Sequence, residues 1–313
     1  MTDTRDHGGG LDAAVARWGG ARADWLDLST GINPVPYPVG DISADVWTAL
    51  PDQGAMDRLI AAARAFWGVP DGAAIVAAPG ASALIARMPG LAVGSVCVPG
   101  PTYNEHAAAF RAAGRVMTAD PAGAAVQVVV HPNNPDGRLW DAAALQGRGL
   151  TVIDESFCDL TPDASHVGMT DRPGIVVLKS FGKFWGLAGL RLGFLIGAEA
   201  TVAPMRDMLG PWPVSGPALA VGARALNDPS WAAATRTRLA TDAARLDGIL
   251  ATAGADLVGG TDLFRLYAVD DAAGWQDRLG RGHVLGRVFP YARTWLRLGL
   301  PRPDRWSQLA AVL

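Results

Sequence analysis

The chain is nearly empty of lysine. Of 27 Lys and Arg residues among 313, only Lys179 and Lys183 are lysine, so almost every task that needs a fixed positive charge falls to arginine. Guanidinium stays protonated, whereas a lysine ammonium loses its proton readily on burial and can then attack a carbonyl. The two lysines therefore point to Schiff-base chemistry in one stretch, with a GC-rich coding bias as the plain alternative. Cysteine is as scarce: Cys97 and Cys158 are too few for a disulfide framework, and a reducing compartment is expected. The five histidines include no H-x-x-x-H pair, so no metal is expected. No apolar run approaches the roughly 18 residues of a membrane span, and residues 1–10 lack the apolar core of a signal peptide, which implies a cytoplasmic protein with no membrane partner. A net charge of −3 with scattered basic residues argues against a nucleic-acid footprint or a polybasic membrane patch. Small molecules remain as the expected partners.

What is present is a long alternation of short β-rich and helical stretches. Leu11 to Trp18 has a helical pattern, Trp25 to Leu28 is extended, and Ser29 to Pro38 is a loop made rigid by proline. Met56, Leu59, Ile60, Ala63 and Trp67 recur at helical spacing and predict an amphipathic helix over 54–67. From Ala73 onward, apolar runs at 75–78, 94–98, 115–118, 126–130, 150–154, 175–178 and 192–196 are separated by helical segments or long crossovers. This order predicts an α/β fold with a mostly parallel sheet covered on both faces, whose strand C-termini build the ligand site. After about Pro204 come helical patterns at 216–226 and 231–251, then strands at 256–258, 263–269, 283–288 and 294–298 around a helix at 272–279. These predict a smaller α+β domain. The expected division is an N-terminal arm over 1–50 contributing to the small domain, a large domain over 51–205 and a C-terminal small domain over 206–313.

The strand ends carry the chemistry. Ala78-Pro79-Gly80-Ala81-Ser82 places small residues at a helix start, where free N–H groups favour an anion such as phosphate, although many strand–helix turns look alike. Asn133 and Asn134, between Pro132 and Pro135, read either as a turn or as amides aimed into a site. Asp154 closes an apolar β run, so its charge needs a partner: a protonated pyridine ring, an arginine, or the N-terminus of a following helix. Ser180 and Lys183 form an S-x-x-K pair, but the S-D-N and K-T-G elements of the penicillin-binding type are absent. The glycines 186, 189 and 193 do not match the G-x-G-x-x-G dinucleotide fingerprint.

Taken in order, Pro79-Gly80-Ala81-Ser82, Pro101-Thr102-Tyr103, Asn133 to Gly137, Asp154-Glu155-Ser156-Phe157 and Ser180 to Lys183 through Gly189-Leu190-Arg191-Leu192-Gly193 resemble a fold-type I pyridoxal-phosphate enzyme of the class I/II aminotransferase group. The resemblance covers nearly the whole chain. It implies an aminotransferase-like fold whose large domain binds pyridoxal 5'-phosphate. Lys183 would be the Schiff-base lysine, Asp154 the partner of the pyridine nitrogen, Asn134 a hydrogen-bond donor to the ring hydroxyl, and Tyr103 the residue stacked on the ring. The backbone at Gly80 and Ala81, the Ser82 and Ser180 hydroxyls and Arg191 would hold the cofactor phosphate. Lys179, on the preceding strand, would be a bystander.

Within that group the chain resembles the threonine-phosphate decarboxylases of cobalamin biosynthesis, with histidinol-phosphate aminotransferases as the alternative. The resemblance lies in His7-Gly8-Gly9, Leu28-Ser29-Thr30-Gly31-Ile32-Asn33-Pro34, Ser180 to Gly186 and Trp212-Pro213-Val214-Ser215-Gly216-Pro217. It implies a phosphorylated amino-acid substrate held by His7, Gly8 and Asn33, with Arg297 as the bidentate carboxylate clamp and Arg287 second, and a homodimer. Two departures stand out. Phe157 occupies the place of a tyrosine that often reaches the ring hydroxyl, and Leu50 replaces the tyrosine that reaches the neighbouring subunit's phosphate.

Overall fold

The computed structural model describes residues 7–145 and 149–313, so the first six residues of the stretch read above as lacking a signal peptide lie outside the described residues. Its contacts divide the chain into two units. The larger comprises Pro36–Asn134 and Arg138–Ala233; the smaller comprises the residues up to Val35, Pro135–Gly137 and Ala234–Leu313.

The larger unit is built on a seven-stranded sheet: β1 (Ala73–Ala78), β2 (Val96–Cys97), β3 (Met117–Thr118), β4 (Val126–Val130), β5 (Leu150–Asp154), β6 (Ile175–Ser180) and β7 (Gly193–Ala198), in the spatial order β1-β7-β6-β5-β4-β2-β3. β7 runs antiparallel to β1 and β6, and the other neighbouring pairs are parallel. This is the mostly parallel α/β sheet that the sequence predicts. All five residues of β4 and all five of β5 are buried, as they must be in strands covered on both faces. Val128, Val152, Val176, Leu178 and Leu195 pack against Met88, Val202 and Met205 in one core. Register decides the site: Asp154 lies opposite Val130 on one side and Leu178 on the other, so the C-terminal ends of β4, β5 and β6 come level.

Two helices of this unit do not show in the hydrophobic pattern. The helix Asn104–Ala112 buries only His106 and Phe110, too narrow a stripe to signal a period. The helix Glu199–Leu209 runs through Pro204, a residue that reads as a helix breaker. Among the described residues no helix is long and apolar enough to cross a membrane.

The smaller unit is α+β, as expected. Arg287–Phe289, Ala292–Gly299, Phe264–Ala268 and Asp256–Thr261 form a four-stranded antiparallel sheet in that order. Leu26–Asp27 pairs in parallel with Val284–Leu285. The single strand expected over 283–288 is thus two strands in two sheets. They break at Gly286, where a Cβ would come within 3.0 Å of Leu298 Cδ2 and 3.1 Å of Leu296 Cδ1, so the chain passes closest to the sheet where it has no side chain.

Candidate active site

At the C-terminal ends of β4, β5 and β6 lies a cavity of about 130 Å³. Gly80, Ala81, Ser82, Tyr103, Asn134, Asp154, Ser180, Lys183 and Arg191 all line it, so the larger unit brings together every residue read above as holding the cofactor. Ser156 and Phe157 join them. The neighbouring Asn133 is structural: its Oδ1 accepts from Thr102 Oγ1 at 2.6 Å and its Nδ2 donates to the Pro101 carbonyl at 3.1 Å.

Asp154 is buried, yet its partner in the protein is neither an arginine nor a helix end. Oδ2 lies 2.8 Å from Nε2 of the fully buried His106, and Oδ1 accepts from the Ser156 N–H at 3.0 Å and from the Ser156 hydroxyl. Burial alone would raise this carboxyl. The imidazole of His106, by hydrogen bond and by charge, and the two Ser156 donors outweigh burial and hold Asp154 below the usual carboxylate range. His106 and Ser156 escaped the sequence reading. The signal for His106 was its place three residues after Tyr103, which puts the two on one face once residues 104–112 are known to be helical; their rings meet edge to face at 6.0 Å. The signal for Ser156 was an Asp followed two positions later by a hydroxyl, a common side-chain turn.

Lys183 sits in a loop pinned on both sides by fully buried rings. Phe181, Phe184 and Trp185 have no exposed surface, and Phe181 stacks on Trp185 with centroids 5.0 Å apart and planes at 8°. Lys183 itself is half-buried, with Nζ 5.4 Å from the centre of the Phe157 ring. Phe157, which offers no hydroxyl, thus forms an apolar wall beside the amine. Lys179 differs in every respect: it is buried on the other face of β6, 2.6 Å from Glu155 Oε2 and 3.7 Å from Asp159 Oδ1. Burial acts to lower its pKa, and the two carboxylates reverse this and raise it.

The turn at Gly80–Ala81 depends on missing side chains. Gly80 has φ +87°, and a Cβ there would fall 2.6 Å from Arg191 Nη2; a Cβ on Gly193 would fall 2.4 Å from the Ala81 nitrogen. Arg191 adopts a left-handed conformation (φ 55°), costly for a residue with a side chain, and its Nη1 donates to the Ala188 carbonyl at 2.9 Å. These constraints turn an exposed guanidinium toward the Gly80–Ala81 turn, beside Ser82 and Ser180.

Beneath β5 and β6, His131, Glu155 and Cys158 present donor atoms within 4.8 Å of one another. They are already engaged. His131 Nδ1 accepts from the Trp140 N–H at 3.0 Å and Nε2 meets the Ala164 carbonyl at 2.8 Å. Glu155 accepts from Ser165 Oγ and the His166 N–H, each at 2.6 Å, besides its pairing with Lys179.

The residues read as substrate ligands lie in the smaller unit. Arg297, buried on the strand Ala292–Gly299, donates from Nη2 to the Ser29 carbonyl at 2.6 Å. Its pKa is lowered to about 10, first by burial and then by Arg287, which stands opposite it in register. Arg287 and His7 share a cleft of about 230 Å³ with Arg17 and Ser29. Gly8 packs on Ser29, where a Cβ would lie 2.4 Å from the carbonyl oxygen, and the Gly9 N–H donates to Ser29 Oγ at 2.7 Å. Asn33 is buried, with Oδ1 accepting from Arg238 Nη2 at 2.7 Å and the Val35 N–H at 3.0 Å. Arg287 lines that cleft, whereas Arg297, its register partner on the adjacent strand, is buried and does not line it.

Comparison with known proteins agrees with this geometry. The profile of the aminotransferase class I and II family matches residues 43–305. A threonine-phosphate decarboxylase from Sinorhizobium sp is 42% identical over 315 residues, covering 95% of this chain and 93% of that protein. Another, from Pseudomonas aeruginosa, is 38% identical over 326 residues, covering 98% and 97%. A histidinol-phosphate aminotransferase from Serratia proteamaculans is 36% identical over 107 residues, 32% of this chain and 30% of its own. Among solved structures, histidinol-phosphate aminotransferase from Sinorhizobium meliloti in complex with pyridoxal-5'-phosphate has a TM-score of 0.81, at 20% identity over 97% of this chain and 93% of that one, a likeness of fold.

Proposed function

Because the chain belongs to the class I and II aminotransferase family, we propose that it is a pyridoxal-phosphate enzyme that decarboxylates L-threonine O-3-phosphate to (R)-1-aminopropan-2-yl phosphate, in the cytoplasm and as a step of cobalamin biosynthesis. One observation carries the choice of substrate: similarity to two threonine-phosphate decarboxylases runs over nearly the full chain, while the histidinol-phosphate aminotransferase match covers about a third of it.

The cavity fits the cofactor on the strength of its own residues. It offers a half-buried amine, a buried carboxylate held anionic, and a turn that added Cβ atoms at Gly80 or Gly193 would obstruct. The Gly80–Ala81 backbone, Ser82, Ser180 and Arg191 would bind its phosphate, Tyr103 would cover the ring, and Asn134 would donate to the ring hydroxyl. When bound, pyridoxal phosphate supplies a sink for the electron pair left at the substrate's Cα. Asp154, kept anionic by His106 and Ser156, would hold a proton at the ring nitrogen and so keep that sink effective. Lys183 Nζ would attach the cofactor and hold the proton delivered to Cα. Arg297 would grip the substrate carboxylate with Arg287 assisting, and His7, Gly8 and Asn33 would help hold the substrate. Which Cα bond breaks follows from how these groups orient the carboxylate.

The reading extends to a homodimer. Trp47, Leu50 and Trp212 are 66%, 69% and 59% exposed on the larger unit, apolar surface of the kind that association removes from water. Product analysis tests the activity. With L-threonine O-3-phosphate and no keto acid, the wild type should form the amino-alcohol phosphate and Lys183→Ala none; in a parallel reaction with added 2-oxoglutarate, its consumption with no loss of CO2 would replace this reading with transamination.

A further inference from the structure

Lys179 was expected to stand aside from the chemistry, but it is the centre of a buried ionic cluster joined to the Lys183 loop. Successive side chains of a strand point to opposite faces. Ser180 accordingly lines the cavity, and Lys179 lies on the far side of β6, 2% exposed, against Glu155 and Asp159. Glu155 directly follows Asp154, and its N–H donates to the Leu178 carbonyl at 2.9 Å, so the ion pair clamps the ends of β5 and β6 together where both enter the site. Asp159 reaches further. Its Oδ1 accepts from Trp67 Nε1 at 2.8 Å and its Oδ2 from Trp185 Nε1 at 3.2 Å. Trp185 is two residues beyond Lys183 and is stacked between Phe181, at 5.0 Å, and Trp231, at 5.3 Å and 12°.

Two carboxylates in this dry space cannot both stay ionised without a cation between them. The ammonium of Lys179 lets Asp159 remain an anion, and an anion accepts the two indole N–H groups more strongly than a neutral acid would. Building on the pyridoxal-phosphate reading, we infer that Lys179 is a positioning residue, which through Glu155 and Asp159 fixes the Trp185 anchor and thereby the placement of the Lys183 amine against the cofactor.

The test compares wild type, Lys179→Met, Lys179→Arg and Asp159→Asn, each loaded with pyridoxal phosphate. Far-UV circular dichroism reports folding, and the visible circular-dichroism band of bound cofactor reports how it is held against Lys183. Asp159→Asn leaves the one-to-one Lys179–Glu155 pair intact and is isosteric, so it should fold even where Lys179→Met does not. The expected result is a weakened visible band and a kcat lower by about tenfold or more, with KM little changed, in Asp159→Asn and in folded Lys179→Met, and restoration toward wild type in Lys179→Arg, which keeps the charge. A wild-type band and kcat in folded Asp159→Asn or Lys179→Met overturns the inference. Absence of any visible band from the wild type overturns the cofactor reading and the inference with it.

Discussion

Asp154→Asn keeps the shape of the buried side chain and removes its charge, leaving His106 without an anionic partner. Activity should fall by about a hundredfold or more, because the ring nitrogen loses the group that favours its protonation. Stability should change with a defined sign. The folded-state pKa of Asp154 is depressed, so its ionised form contributes stability that is present above the ordinary value of 3.8 and is lost as pH falls through the lower folded value. The gap in Tm between wild type and Asp154→Asn should therefore be widest near neutrality and narrow as melting is followed down through pH 4; a gap that widens toward acid would contradict this assignment. At this scale the sequence was informative where one residue type has few other uses. Lys183 stood out because lysine is so rare, and Asp154 because a carboxylate at the end of an apolar run demands a partner. The partner itself, His106, was hidden because its helix shows no apolar period, and the roles of Lys179 and Asp159 were hidden because their pairing joins a strand to a short helical turn twenty residues earlier and depends on tertiary packing.

The turn between β1 and the following helix and the first residue of β7 form one device: two backbone segments that approach closely through glycine. A methyl at Gly193 would stand 2.4 Å from the Ala81 nitrogen and 2.7 Å from the Gly80 carbonyl carbon, whereas nothing lies within 4 Å of a Cβ at Gly189. Gly193→Ala should cost about 1–3 kcal/mol by forced displacement of the turn, and should weaken cofactor retention in equilibrium dialysis. Gly189→Ala, in the same segment, should leave retention as in the wild type. Equal behaviour of the two variants would mean that the approach at Gly193 does not shape the cradle. The elements were mostly legible because buried strands such as β4 and β5 are rich in β-branched residues, each interrupted by a single polar residue, Gln127 or Thr151, before its end. Sequence pattern failed where tertiary packing overrides local preference: a helix that continues through Pro204, and a strand that changes sheet at Gly286, where a side chain would crowd Leu296 and Leu298.

On the scale of the whole molecule, the residues read as cofactor ligands and those read as substrate ligands belong to different units of the chain. The cofactor residues thus share one compact cavity, and the two guanidiniums proposed for the substrate carboxylate lie on a separate sheet. The exposed Trp47, Leu50 and Trp212 bear on assembly. Light scattering should give the mass of a dimer, and Trp47→Glu should shift it toward the monomer; a wild-type monomer would contradict the proposed association. The most direct measurement follows the carboxyl carbon. L-threonine O-3-phosphate labelled with ¹³C at C1 should release its label as CO2 when incubated with the wild-type enzyme and pyridoxal phosphate without a keto acid, leaving an unlabelled amine phosphate. Label that stays in the organic product while an added keto acid is aminated would contradict decarboxylation.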